Sequence, residues 1–330
     1  MADRSAYGGQ AVIEGVMIRG KNRVATACRL KDGSITVRHE EADSIAKRYS
    51  WLRLAFLRGT PALIDSMQLG YRTLMWSADM AMDEEAPQQK PPAWLYFLTI
   101  LGSVLFGVGL FVLFPTYALK WVFPHAEALA QHRSLLAQLI PTGQALLYNI
   151  TEGLLRILIL IGYILMMGRN AELRRVFSYH GAEHKVVNAW EGSGELSVDV
   201  AKRYSRIHPR CGTSFLFLFF IVGILMHALI GWPAGWIRVA SRLIMLPLVA
   251  GVAYELIRLS GRFRNSRLLK MFIWPGLLLQ QLTTAEPADD QIEVAIKSLR
   301  TVLEDEGVLT PEPDEQQAPL AASTEHTTTA

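Results

Sequence analysis

Ser178-Tyr-His180-Gly-Ala-Glu183-His184-Lys185 and His208-Pro-Arg210-Cys211-Gly212 bracket a polar stretch that lies between two apolar runs, residues 145–167 and 214–232. A hydrocarbon core about 30 Å thick takes roughly 20 apolar residues to cross, so both runs read as membrane spans. Two further runs have the same character. Residues 94–119 carry no charge and are flanked by Trp94, Tyr96, Tyr117 and Trp121, side chains that anchor a helix at the headgroup level. Residues 238–258 are less uniform, with Arg242 near the start and Tyr254-Glu255 near the end. The expectation is a mainly α membrane protein, a four-helix transmembrane bundle with a small cytosolic β-containing N-terminal domain and amphipathic helices.

Composition supports that class. Of 330 residues, 51% are hydrophobic and only 19% charged, which is unusual for a soluble domain. A net charge of +3 is too small to suggest nucleic acid, and the lipid bilayer is the partner implied. Basic residues crowd two places: eight Lys or Arg between 169 and 211, then Arg258, Arg262, Arg264, Arg267 and Lys270. The other two inter-span loops are nearly free of them, so both termini and the motif stretch are expected on the cytosolic side of the inner (cytoplasmic) membrane. The first ten residues lack the apolar core of a signal peptide. Cys28 and Cys211 both fall on that cytosolic side, where a structural disulfide is not expected.

Outside the spans the chain divides by pattern. Residues 1–42 read as a β layer, with four glycines around Glu14 and Asp32-Gly33 between alternating segments, the mark of a hairpin. Residues 43–92 hold amphipathic helices and an acidic linker from 83. Lys47, Arg48, Arg53 and Arg58 there interleave with Trp51, Leu52, Leu54, Phe56 and Leu57, which suits the headgroup region, although packing on the β layer explains them as well. Thr60-Pro61 starts a second helix running to about residue 82. Within the membrane domain, 93–282, Pro275-Gly276 interrupts residues 268–282 and suggests a re-entrant or interfacial helix pair. Residues 283–306 form a cytosolic helix whose stripe of Ile292, Ala295, Ile296, Leu299, Val302 and Leu303 is expected to dock on the N-terminal domain. An acidic tail without Lys or Arg, 307–330, reads as disordered.

His180, Glu183 and His184 have the spacing H-x-x-E-H. On a helix this sets two imidazoles on one face at i and i+4 with a carboxylate beside them. Two nitrogens can then share one Zn²⁺, and Glu183 can act as general base toward the water that the metal activates. The third metal ligand is open among His208, Glu255, Cys211 and Glu191, in that order, since His and carboxylate are the commoner companions of two His at hydrolytic zinc. Arg210, Arg19 or a backbone nest at Gly212 could steady a developing oxyanion. Each has a plainer counterpart. His180 and His184 could cap the end of a span and pair with Glu183 or Glu191. His208 could be a turn residue, Cys211 a small buried residue, Glu255 an ordinary partner of Arg258, and Glu14 a solvated turn acid. His125, His132 and His227 have no partner at metal spacing.

Gly8-Gly-Gln-Ala-Val-Ile-Glu14-Gly-Val-Met, Arg58-Gly59, Tyr179-His180-Gly-Ala-Glu183-His184-Lys185, His208-Pro-Arg-Cys211-Gly-Thr-Ser214, Tyr254-Glu255 and Trp274-Pro-Gly276 with Gln280 together resemble the YqhQ-like family of bacterial membrane proteins. The resemblance runs to about residue 303. It implies a bacterial multi-pass membrane protein, a domain of unknown function described as a predicted metal-dependent enzyme, and names no substrate. Two functions follow as expectations. One is a membrane-embedded zinc hydrolase acting on a peptide or lipid bond at the cytosolic face; the other is a non-catalytic scaffold or assembly factor whose polar stretch is structural. A transporter fits less well, because Glu152 and Arg156 form the one charge pair within the spans.

Overall fold

The computed structural model describes residues 7–82, 92–125, 134, 138–233, 235–262 and 267–311. The linker at 83–91, His132 and the tail from 312 lie outside the described residues.

The N-terminal segment forms one antiparallel sheet in chain order: β1 (Gly8–Val12), β2 (Gly15–Arg19), β3 (Arg23–Arg29) and β4 (Ile35–Glu41). Asp32-Gly33 makes the β3–β4 hairpin as expected: Gly33 takes φ +88°, and the Asp32 carboxylate accepts from the Ser34 amide at 2.9 Å. Both faces of the sheet are covered, which strand alternation makes possible. Val16, Ile18, Ala25 and Ala27 face α4 (Ala171–Gly192) and α9 (Asp289–Asp305), while Val12, Met17, Val24 and Cys28 face α1 (Gly59–Ala81). Cys28 belongs to this second core, where burial and the nearby Glu14 carboxylate push its thiol up to about 12 and keep it protonated. The docking expected of the C-terminal helix is observed. Ile292, Ala295, Leu299, Val302 and Leu303 on α9 are all at most 1% exposed, and the buried Ser298 hydroxyl donates to the Ala25 carbonyl of β3. Residues 45–53 form only a helical turn and a 3-10 turn, Ile45–Arg48 and Ser50–Arg53, in place of the full amphipathic helix expected; Trp51, Leu54, Phe56 and Leu57 stand exposed.

Among the described residues, three helices are long and apolar enough to cross a membrane. The first lies in α2, made of Ala93–Val108, a π-helical turn at Gly109–Leu113 and Phe114–Val122; the others are α3 (Gly143–Met167) and α7 (Gly235–Arg262). The third predicted span is the apolar helix α6 (Gly212–Ala228), at 17 residues shorter than the others. After the short α5 (Val198–Lys202) and α6, the remaining apolar element is α8 (Arg267–Thr283), a single helix with Pro275 inside it where a helix pair was expected. α6 is the centre of the assembly and packs on α3, α7 and α8. Two glycines make such approach possible: a Cβ on Gly153 would meet the Ile224 side chain at 2.1 Å, and one on Gly276 would meet Ser214 at 3.0 Å.

The helix ends pair at two levels. At one end, the Gly231 amide donates to the Leu139 carbonyl at 2.9 Å, and Phe123 and Trp232 both stack on Tyr148. At the other, α7 meets the sheet-bearing domain: a Cβ on Gly251 would lie 1.9 Å from the Phe56 carbonyl, and Arg58 grips Glu255 through both carboxylate oxygens. α7 therefore reaches from one of these levels to the other, with α6 packed along it.

Candidate metal centre

α4 carries the motif. The side chain of Asn170 caps it, accepting from the Glu172 and Leu173 amides at 2.8 and 3.2 Å, and the helix continues unbroken to Gly192. Although the stretch from 169 to 211 reads as a loop between spans, half of it is this helix. The helix sinks into the sheet on several sides, with Tyr179, Ala182, Val186, Val187, Ala189 and Trp190 all buried. His180, His184 and Asn188 fall at i, i+4 and i+8 on one face, and each engages a passing backbone.

The chain leaving α8 crosses α4 at Gly181, where a Cβ would lie 2.1 Å from the Ala285 carbonyl, so only glycine fits. That crossing brings the Thr283 carbonyl to accept from the His180 Nδ1–H at 2.9 Å. The segment before α6 passes on the other side. Asn188 donates to the Ser205 and Ile207 carbonyls at 2.7 and 3.1 Å, which leaves the Arg206 carbonyl between them to accept from the His184 Nδ1–H at 2.6 Å. A carbonyl can only accept, so each ring donates from Nδ1, and in its neutral form presents an Nε2 lone pair. Those two nitrogens and the Cys211 sulfur lie within 4.8 Å of one another, with His180 Nε2 3.2 Å from Sγ. Cys211 is the N-cap of α6, and its sulfur accepts from the Thr213 amide at 3.5 Å.

Glu183 completes the group. One oxygen accepts from the Gly9 amide of β1 at 2.9 Å; the other lies 3.4 Å from His184 Nε2, with Glu183 and His184 only 3% and 1% exposed. The sheet thus reaches the histidines through its first strand. A cleft of about 570 Å³ opens alongside, lined by Gly8, Gly9, Arg19, His180, Arg210 and Cys211 among others.

Other expected members lie elsewhere. Glu255 is not at the site, because Arg58 and the Phe56 amide occupy its carboxylate at the α1–α7 crossing. The His208 ring is 5.8 Å from that of His184, but its Nε2 lies 3.4 Å from Arg210 and 3.7 Å from Glu191. Glu191 itself pairs with Arg210. Glu14 holds Arg175 and accepts from the Tyr179 hydroxyl at 3.2 Å, which, after burial, helps raise the phenol above its ordinary range. Gln280, fully buried, fixes the segment before α6: its carbonyl accepts from the His208 amide at 2.8 Å, and its amide donates to the His208 carbonyl at 2.8 Å and the Ser214 hydroxyl at 2.7 Å. Neither Asn188 nor Gln280 stands out as a site residue by type. Their signal is position, one a further turn along the histidine face and the other beside Pro275-Gly276.

The donor set suits a divalent metal. Two imidazole nitrogens and one sulfur supply three ligands; a tetrahedral zinc needs donors roughly 3.3–3.6 Å apart, and here His180 and Cys211 are 3.2 Å apart with all three donors within 4.8 Å of one another.

No solved structure matches the chain. A curated relative, "Uncharacterized protein YqhQ" of Bacillus subtilis (strain 168), is 34% identical over 314 residues, covering 90% of this chain and 92% of the relative. Residues 54–305, from the segment before α1 to the end of α9, match the family described as "Protein of unknown function (DUF1385)", and the chain belongs to that family.

Proposed function

We propose that this chain is a four-span inner-membrane protein with both termini in the cytosol, and that it is a zinc-dependent hydrolase working where its sheet domain meets the bundle. The observation that carries the reading is the convergence of His180, His184 and Cys211, whose donor atoms lie within 4.8 Å of one another, with a Glu183 oxygen 3.4 Å from His184 Nε2. These are lone-pair donors held together in a half-buried site, an arrangement that a cation or proton among them would stabilise. A cysteine sulfur beside two imidazoles favours zinc over magnesium or calcium. When bound, the metal supplies Lewis-acid polarisation and an activated water. The chain's own part is then clear. His180, His184 and Cys211 would hold the ion. Glu183, steadied by Gly9, takes and returns the proton. Arg210, anchored on Glu191, lines the cleft where negative charge would develop. The exposed Trp51, Leu54, Phe56 and Leu57 fit the headgroup layer, so a membrane peptide or a lipid would reach the cleft from the bilayer side.

Elemental analysis of purified protein tests this. Wild type and Glu183→Gln should retain close to one zinc per chain, His180→Ala and Cys211→Ser should retain little, and Glu183→Gln should lack hydrolytic turnover. The pairing of Glu191 with Arg210 beside His208 favours a second reading, in which these polar groups only brace a scaffold. Wild-type protein without stoichiometric metal would leave that second reading alone.

A further inference from the structure

At the end of the bundle away from the sheet, three helices, α2, α3 and α7, bring charged and polar side chains together in a buried cluster. Glu152 of α3 is 1% exposed and is gripped by Arg156 one turn along and by Arg242 of α7, whose Nη2 is 2.9 Å away; the Thr116 hydroxyl of α2 donates to it at 2.9 Å. Arg242 also donates to the Asn149 carbonyl at 2.5 Å. Arg238, 1% exposed, lies with its guanidinium 4.4 Å over the Trp232 ring. Two guanidiniums thus share one carboxylate, and a third lies one turn away on α7. Arg242 Nη1 and Arg156 Nε are buried without a hydrogen-bond partner. Arg cannot shed its proton, so a surplus of positive charge at this depth calls for a counter-charge.

We propose that this cluster is an oxyanion site that binds one phosphate group, with Arg242 and Arg156 giving charge-assisted hydrogen bonds from their unused N–H groups while Glu152 holds the two guanidiniums in place. Arg242 is seven residues from the start of α7, about 10 Å along the axis, so the site is reached from the end opposite the histidines. A lipid headgroup phosphate or free phosphate could be the source. The cluster shares no residue with the candidate metal centre, and its occupation does not depend on zinc.

The test uses the full chain in detergent. Inorganic phosphate is titrated calorimetrically, and phosphatidylglycerol against phosphatidylcholine is scored by native mass spectrometry. Retention of phosphatidylglycerol alone assigns the lipid source, and saturable inorganic phosphate binding assigns the free ion. Arg242→Gln should weaken whichever is bound by about tenfold or more, the value of one charge-assisted bond. Glu152→Gln, which removes the competing carboxylate, should bind at least as tightly as wild type. Wild-type protein that binds neither ligand overturns the proposal without reference to any variant; so does unchanged binding in Arg242→Gln.

Discussion

Gln280 has no catalytic chemistry, yet it decides which side chain before α6 can meet the histidines. Its three hydrogen bonds fix the segment from His208 to Ser214 so that Cys211 Sγ faces His180 while the His208 ring turns toward Glu191. Replacing it by Leu leaves buried polar partners unmet, each costing about 1–3 kcal/mol. Gln280→Leu should therefore lower thermal stability and, as a change behind the ligands, weaken zinc by about 10–100-fold in chelator competition. Unaltered affinity would mean that Cys211 is placed by α6 alone. The same residue explains what was legible at this scale. H-x-x-E-H is local, so helix geometry alone brings His180 and His184 together. The proposed third ligand, Cys211, is placed by a side chain about 70 residues further on, and residue type alone ranks His208 and Glu255 above it.

Among the elements, those with one buried stripe were readable and those buried on several sides were not. α9 shows its apolar face plainly, and it docks where that face predicts. Leu299 is fully buried between α9 and the sheet, so Leu299→Ala should cost about 2–5 kcal/mol, read as a lowered urea midpoint of the sheet domain. A loss below about 0.5 kcal/mol would mean that the helix is peripheral to that core. α4 hides its periodicity because its second half is covered by β1, β2 and α9 together, and only the motif inside it suggests a helix. The familiar pairs Arg58-Gly59 and Tyr254-Glu255 acquire a structural meaning here. Gly59 and Gly251 let α1 and α7 touch, and Arg58 with Glu255 ties the crossing. A carboxylate near a span end is a natural ligand candidate in sequence, but the arginine that occupies it is about 200 residues away.

For the whole molecule the question is whether α6 crosses the bilayer, since at 1.5 Å per residue its 17 residues reach only about 25 Å. Its neighbours answer for it geometrically. Cys211 at its start lies among α4 side chains of the sheet domain, whereas Gly231 just past its end bonds Leu139 before α3. If α3 and α7 span, α6 has to join their opposite ends, and the turn from Leu229 to Pro233 adds the missing length. This arrangement predicts sidedness. In a Cys28→Ala, Cys211→Ser background, Gln144→Cys at the start of α3 should react in intact cells with a membrane-impermeant maleimide, and Lys202→Cys on α5 should react only after lysis; both positions are exposed. Equal labelling of both in intact cells would put the two helix ends on one side. The bundle would then lie along the membrane surface, and the histidine centre and the arginine cluster would share a face when they ought to be separated by the bilayer.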